Sequence, residues 1–548
     1  MICAGTLALA ACGSSEPNPP SGVDCSAVAP TTLAVGAFTV LDASQTACVR
    51  IPAAGAQETE HLYVALATEG RETTSGITAP YDLKGGNGLT ASVAAPGGGF
   101  FDRVPTAAES FHDRLRARER SLSEHPVATA HPRISALVVP TPPVVGSKRT
   151  FDVCATTTCD SFVQSQATAK VVGQRVAIFL DDSVPSGGYT QSDLDQVGAL
   201  FDSHLYPIDT TAFGRESDLD SNGVVIVLLS QRVNELSPNC NSTNSVILGY
   251  FFGLDLLPTQ THSNDGEVFY GVVPGSATPG CTLSKTFAEE NLPPVFIHEF
   301  QHMISFNQHV VIRQQQSEDV WLNEGLSHFA EELGGRQIPD NLCQPAFATC
   351  GSQFIGDNLN DAFMYLEDPE ANFLIEPSSS GGTLEERGAN WLFVRWLADH
   401  FAASQPLGTE LTRALVQTSL VGSANVAAVT GEDFSTLVSE WQMANYLDNL
   451  PGFTPASDRL QYSSFDFHGL FLANFQNGAF SKPYPLTPDS TRTGNYSHSG
   501  VLRGGSGKFL RIIQPAGAAE ASFVLSVPGG GTPVSSSVKP RIAIVRVR

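Results

Sequence analysis

Residues 293–308 read PPVFIHEFQHMISFNQ, and no other stretch restricts the fold as tightly. Phe296, Ile297, Phe300, Ile304 and Phe306 recur at helical spacing, so the segment predicts a helix buried in a core and entered after the Pro293-Pro294 turn. His298 and His302 stand four apart, about 40° of rotation and one turn of rise, and therefore share a face. A single core histidine is ordinary. Two on one face, with Glu299 beside the first and apolar residues around them, are costly to desolvate unless something partners them. That face can offer two imidazole nitrogens to one metal at ~2.0–2.1 Å, while Glu299 can reach a water on that metal without binding it.

This is the H-E-x-x-H arrangement of zinc peptidases. A catalytic zinc needs a third protein ligand and leaves its fourth position to water. No histidine stands six residues after His302, so the H-x-x-G-x-x-H extension of the metzincins is absent. Downstream, residues 319–333 read DVWLNEGLSHFAEEL. HEFQHMI together with WLNEGLSHFAEEL resembles the gluzincins and, more closely, the hyicolysin-type bacterial neutral metallopeptidases, over roughly residues 175–450. The resemblance implies one zinc ion held by His298, His302 and Glu324, Glu299 as general base, and protein or peptide substrates. A pair of ordinary helices with charged faces would have to produce both motifs at once.

Several positions depart from the family pattern. Thermolysin-like relatives support a ligand histidine with an Asp one turn after the ligand Glu, and here that position is His328. Glu331 and Glu332 share the Glu324 face and are the candidates for that support, or else form a solvated acidic patch. Where the aminopeptidase N-type relatives carry a Tyr, this chain has Glu385, with Arg387 in place of a Lys. Arg387 is an oxyanion candidate or an exposed residue at a helix start. Tyr365 and His309 are further candidates. The G-x-M-E-N exopeptidase segment is not visible, which favours an endopeptidase.

At 548 residues the chain exceeds one hydrophobic core, and two to four domains are expected. The expected fold is multidomain α+β. A gluzincin/thermolysin-like catalytic domain, with a β-containing upper half and a helical lower half, is flanked by N- and C-terminal β-rich, sandwich-like domains. Residues 25–104 contain short β-branched runs separated by Gly, Pro and Ser. Residues 105–135 begin with charged, helix-prone sequence and read as a helical linker, or alternatively as part of a pro-segment lying against the site. A β-rich segment at 136–174 joins the catalytic domain at 175–450, in which TQSDLDQVGALFDSHLY predicts a helix capped by Thr190 or Ser192. Residues 451–548 turn β-rich again.

The formal charge of −24 argues against a nucleic-acid partner, whose phosphates are bound mostly by Lys and Arg. Residues 1–12 resemble a lipoprotein signal segment ending in a lipobox with Cys12 as the lipidated residue, and 13–24 read as a flexible tether. No Lys or Arg precedes Arg50, which points to a start further upstream. No run of 18 apolar residues occurs, so membrane contact is expected only through the lipid anchor. The expected location is extracytoplasmic, anchored or secreted, and the expected state monomeric. Eight cysteines beyond the signal segment in an exported chain suggest disulfides, most simply between neighbours: Cys25–Cys48, Cys154–Cys159, Cys240–Cys281 and Cys343–Cys350. Asp218, Asp220 and Asn222 match the first half of a Ca²⁺ loop, but Leu229 stands where the bidentate Glu belongs. A plain turn before a strand accounts for these residues equally directly.

These features point to an exported zinc endopeptidase. Two other readings share them: a zinc hydrolase of non-peptide amides or esters, and a surface lipoprotein with ligand-binding β domains and a catalytically silent metal site.

Overall fold

The computed structural model describes residues 25–86, 106–124, 141–184, 188–237, 246–276, 281–379 and 382–548. The lipobox at Cys12, the tether and Cys240 lie outside the described residues.

A six-stranded sheet forms one layer around the site. Its strand order is Lys148–Cys154, Phe162–Val172, Val176–Asp181, Val225–Leu229, Val268–Gly271 and Gly249–Phe251. The three central strands run parallel and the outer ones antiparallel. Central parallel strands are buried on both faces and so read as continuous apolar runs, as in VAIFLD and VIVLL. Alternation divides them: Val176, Ile178, Val225 and Val227 join the core beneath the sheet, whereas Ala177, Phe179, Ile226 and Leu228 join the core on the other face. The first two strands come from residues expected to precede the catalytic domain, so the sheet begins well before residue 175.

Against the lower face packs the helix Lys285–Phe306, which carries the histidines. It starts eight residues before the double proline rather than after it. Ser284 caps it by accepting from the Phe287 N–H, and Pro293 and Pro294 lie inside. The carbonyl of Glu290, which Pro294 cannot serve, accepts instead from Gln353 Nε2 at 2.8 Å. Beyond it lie the helices Val320–Gln337, Cys350–Glu367, Leu384–Phe401 and Phe434–Leu447. All four tryptophans of the chain, Trp321, Trp391, Trp396 and Trp441, are fully buried among these helices. The helical half continues past residue 450 to the helix Phe467–Gln476, whose Phe467 and Phe471 pack on Trp391 and Phe363.

The two β-rich ends, read from sequence as separate flanking domains, interleave in a single sandwich. One sheet orders Phe38–Asp42, Pro540–Arg546, Thr59–Ala67, Gly507–Gln514 and Asp489–Thr491. The other orders Tyr496–Arg503, Thr78–Gly85, Ala521–Ser526 and Cys48–Ile51. Tyr63, Ala65, Ile542 and Ile544 fill the sandwich interior, while Leu62, Val64, Leu66, Ala543 and Val545 on the reverse face join the main core. The sandwich is thus docked on the helical half by one of its sheets. Disulfides join Cys25–Cys48, Cys154–Cys159 and Cys343–Cys350. Cys281 is also disulfide-bonded. Among the described residues no helix is long and apolar enough to cross a membrane.

The helix Ala107–Glu124 is not a solvated linker. Phe111 and Leu115 are buried in the upper core, and Asp113, Arg116 and Glu119 are buried with them.

Candidate metal centre

His298 and His302 lie on the face of their helix that looks toward the helix Val320–Gln337, with their Nε2 atoms 3.2 Å apart. Glu324 comes from that second helix: Oε2 is 3.4 Å from His298 Nε2 and Oε1 is 3.5 Å from His302 Nε2. The glycine that follows makes this approach feasible. A Cβ on Gly325 would lie 2.8 Å from the Asn390 carbonyl oxygen and 2.9 Å from Val394 Cγ2. Only a residue without a side chain lets this helix seat so closely on Leu384–Phe401 and carry Glu324 inward. Gly388 acts likewise one layer out, where a Cβ would fall 2.3 Å from the Asp361 carbonyl.

The donor set fits a tetrahedral ion. Ligands at ~2.0–2.1 Å from one ion at tetrahedral angles stand about 3.3 Å from each other, close to the separations found. Glu324 is 1% exposed and neither of its oxygens accepts a hydrogen bond. Arg387 supplies a countercharge at 3.7 Å, and a cation between the carboxylate and the imidazoles would give its two oxygens the direct partner they lack.

The imidazoles are oriented from behind. His298 Nδ1 donates to Glu331 Oε1 at 2.6 Å, which turns Nε2 toward Glu324. His302 Nδ1 stands 3.1 Å from Ser327 Oγ, whose own proton goes to Gln301 Oε1 at 2.5 Å. Ser327 Oγ therefore accepts from the His302 ring, whose Nε2 is also 3.3 Å from it. Ser327 was not anticipated, although its place three residues after Glu324 puts it on the same face. Burial opposes charging of both rings. At His298 the carboxylates of Glu324 and Glu331 outweigh it and raise the pKa to about 10. At His302 burial prevails, with Arg116 adding to it, and the pKa falls to about 3.

Glu299 is 1% exposed, and burial pushes its pKa up. Its Oε2 accepts from the backbone N–H of Phe251 at 2.9 Å, on the sheet's edge strand. His112 Nδ1 is 3.7 Å from Oε1 and Arg116 Nη2 is 3.9 Å from Oε2.

The remaining sequence candidates separate clearly. Arg387 is buried rather than exposed. Its Nη1 lies 3.7 Å from Glu324 Oε2 and its Nη2 3.9 Å from Asp113 Oδ1. Burial resists ionisation of Glu324, but Arg387 and then His302 outweigh it and hold the carboxyl well below its usual range. Glu332 turns away from the centre to Arg395 at 2.8 Å, Arg336 at 2.6 Å and Trp391 Nε1 at 3.0 Å, because successive helical residues point about 100° apart. His328 sits beside the centre, with its ring centroid 4.8 Å from that of His298 and Nδ1 3.3 Å from Glu331. The Tyr365 hydroxyl is engaged with Ser506 and Gln442 between the helical half and the sandwich. His309 faces Glu318.

At the loop of residues 218–223 the structure changes the carboxylate set. Asn222 is consumed by the turn, donating to Asp220 Oδ2 and accepting from the Val224 N–H. The third carboxylate near Asp218 and Asp220 is Glu267, the residue just before the parallel strand Val268–Gly271. Arg149 is 3.3 Å from Asp220 and supplies a countercharge there.

No known family model matches the chain. Over 172 residues, 31% of this chain, it is 29% identical to the neutral metalloprotease ShpI of Staphylococcus hyicus. The chain spans 36% of the length of that protein, so the similarity is to part of a metalloprotease.

Proposed function

We propose that the chain is an exported zinc-dependent endopeptidase in which His298, His302 and Glu324 hold the metal and Glu299 is the general base. The convergence of two imidazole Nε2 atoms and a buried carboxylate that accepts no hydrogen bond, within 3.5 Å of each other, carries this reading. The similarity to part of a neutral metalloprotease supports it.

When bound, zinc supplies a Lewis acid for the scissile carbonyl and lowers the pKa of water toward ~7. Glu299 takes the proton of the attacking water and passes it to the leaving amine. The Phe251 N–H holds Oε2, which leaves Oε1 as the proton-carrying oxygen. Glu331 holds the His298 imidazole from behind so that Nε2 is presented to the metal, and Ser327 holds the His302 ring. Arg387 is the group placed to stabilise charge developing on the carbonyl oxygen. The membrane anchor, the monomeric state and a bound Ca²⁺ near Asp218 and Asp220 belong to the same proposal.

Glu299→Gln tests it. The amide can still accept from Phe251 N–H but cannot take a proton, so the variant should retain one equivalent of zinc and lose hydrolysis of unfolded casein. Full activity in the variant refutes the role of Glu299. Zinc at one equivalent, without turnover of proteins, amides or esters by the wild-type chain or by a chain whose centre has been uncovered, favours a silent metal site, a reading that draws on the deep burial of the centre.

A further inference from the structure

The helix Ala107–Glu124 covers the centre. Ala107, Arg114 and Ser121, seven residues apart, face solvent. The opposite face meets the proposed catalytic groups: His112 and Arg116 stand against Glu299, and Asp113 stands against Arg387, which contacts Glu324. With the helix in place His298 is 7% exposed and Glu299, His302 and Glu324 are 1% exposed, too little for any polypeptide to reach them.

The helix is fastened at points a substrate would need. Arg116 Nη2 donates to the Phe251 carbonyl at 2.8 Å, and Glu119 Oε1 accepts from the Gly253 N–H at 2.6 Å. These backbone groups lie along the open side of the sheet's edge strand and just past its end. An edge strand's free groups can otherwise pair with an added chain. Glu109 Oε1 accepts from the Leu384 N–H at 2.8 Å, Ser123 Oγ accepts from the Ser317 N–H at 3.1 Å, and Arg120 pairs with Glu72 and Asp319. Most of these fastenings are charged or hydrogen-bonded. Water can replace such contacts when a helix undocks, whereas it offers nothing in return for lost apolar packing. The large apolar side chains that the helix buries fully are Phe111 and Leu115 alone.

We infer that this helix is an in-chain inhibitor that occupies the substrate cleft, and that hydrolysis begins only when it undocks. The inference rests on the peptidase reading above. It is tested on the full-length, zinc-loaded chain with two variants, Arg120→Glu at the rim and Phe111→Asp/Leu115→Asp under the helix. Neither variant touches the groups assigned to the metal or the chemistry. Two rates are read: zinc loss to excess 1,10-phenanthroline and casein hydrolysis, with zinc stoichiometry and circular dichroism as checks on folding. Both rates should rise at least tenfold over wild type. Should the double variant fail to fold, Arg120→Glu decides. Folded, zinc-loaded variants that release metal and cleave casein at the wild-type rates overturn the inference. Faster zinc release with no hydrolysis by any form keeps the helix as the cover of the centre and removes the peptidase reading instead, so the two failures are distinguishable.

Discussion

Glu331→Ala isolates the contribution of one supporting carboxylate. Glu331 receives the His298 Nδ1 proton at 2.6 Å in a site from which water is excluded, and it touches no proposed metal-facing atom. Removing such a partner typically lowers metal affinity 10–100-fold, which corresponds to about 1.4–2.7 kcal/mol. Glu331→Gln keeps an acceptor but loses the charge and should fall at the lower end of that range. The neighbouring Glu332→Ala supplies the contrast. It removes one of the two carboxylates paired with Arg395, a guanidinium with no solvent exposure, and the acceptor of Trp391 Nε1, while Asp399 stays 2.9 Å from Arg395. Leaving a buried charge wholly unpaired costs about 3–5 kcal/mol, and with Asp399 retained the loss should fall below that, so this variant should melt lower yet bind zinc with nearly wild-type affinity. Competition with a chromophoric chelator at fixed pH gives the affinities, and thermal melts followed by circular dichroism give the stabilities. The reasoning fails if Glu331→Ala binds zinc within twofold of wild type, or if Glu332→Ala loses as much affinity as Glu331→Ala does.

Gly325→Ala would place a methyl 2.8 Å from the Asn390 carbonyl and force the helix Val320–Gln337 outward. A loss of about 1–3 kcal/mol in stability is expected, together with weaker zinc binding. An unchanged melt with full zinc occupancy would contradict this. Arg387→Gln should lower kcat roughly 10²–10³-fold, the usual cost of one oxyanion donor, with KM little altered. Steady-state kinetics on a fluorogenic peptide measure this split, and unchanged kcat removes Arg387 from the chemistry. Burial raises the Asp255 carboxyl from 3.8 to about 7 in the folded protein, against the hydrogen bonds from Tyr270 and Asn264. The proton is therefore held more tightly when folded. Its stabilising contribution is complete below about pH 4 and lost as pH rises toward 7, on the order of 4 kcal/mol in all. Asp255→Asn should accordingly melt higher relative to wild type at pH 8 than at pH 4, and a difference that does not change with pH would contradict this assignment.

Much of the site is legible in local sequence. Four-residue spacing puts His298 and His302 on one face whatever the rest of the chain does, and Glu299 is placed beside them by the same helix. The segment around Glu324 is read from a second short motif, and neighbouring cysteines meet because short loops close easily. These features depend on a handful of adjacent residues. Other features depend on which distant surfaces pack together. Glu331 and Glu332 are equally good candidates in sequence, but the crossing of two helices turns one to His298 and the other to Arg395. The Asp218 loop reads in sequence as lacking a carboxylate at position 229, and the pairing of Val268–Gly271 with Val225–Leu229 brings Glu267, just before that strand, beside it. The two β-rich ends look alike and separate because each shows the same period of two, and nothing within either run says which strands will pair. The weakly amphipathic helix Ala107–Glu124 reads as a linker because its docking surface is made of charges. A charge on a helix looks solvated in sequence, and only the fold decides whether a partner is waiting to bury it.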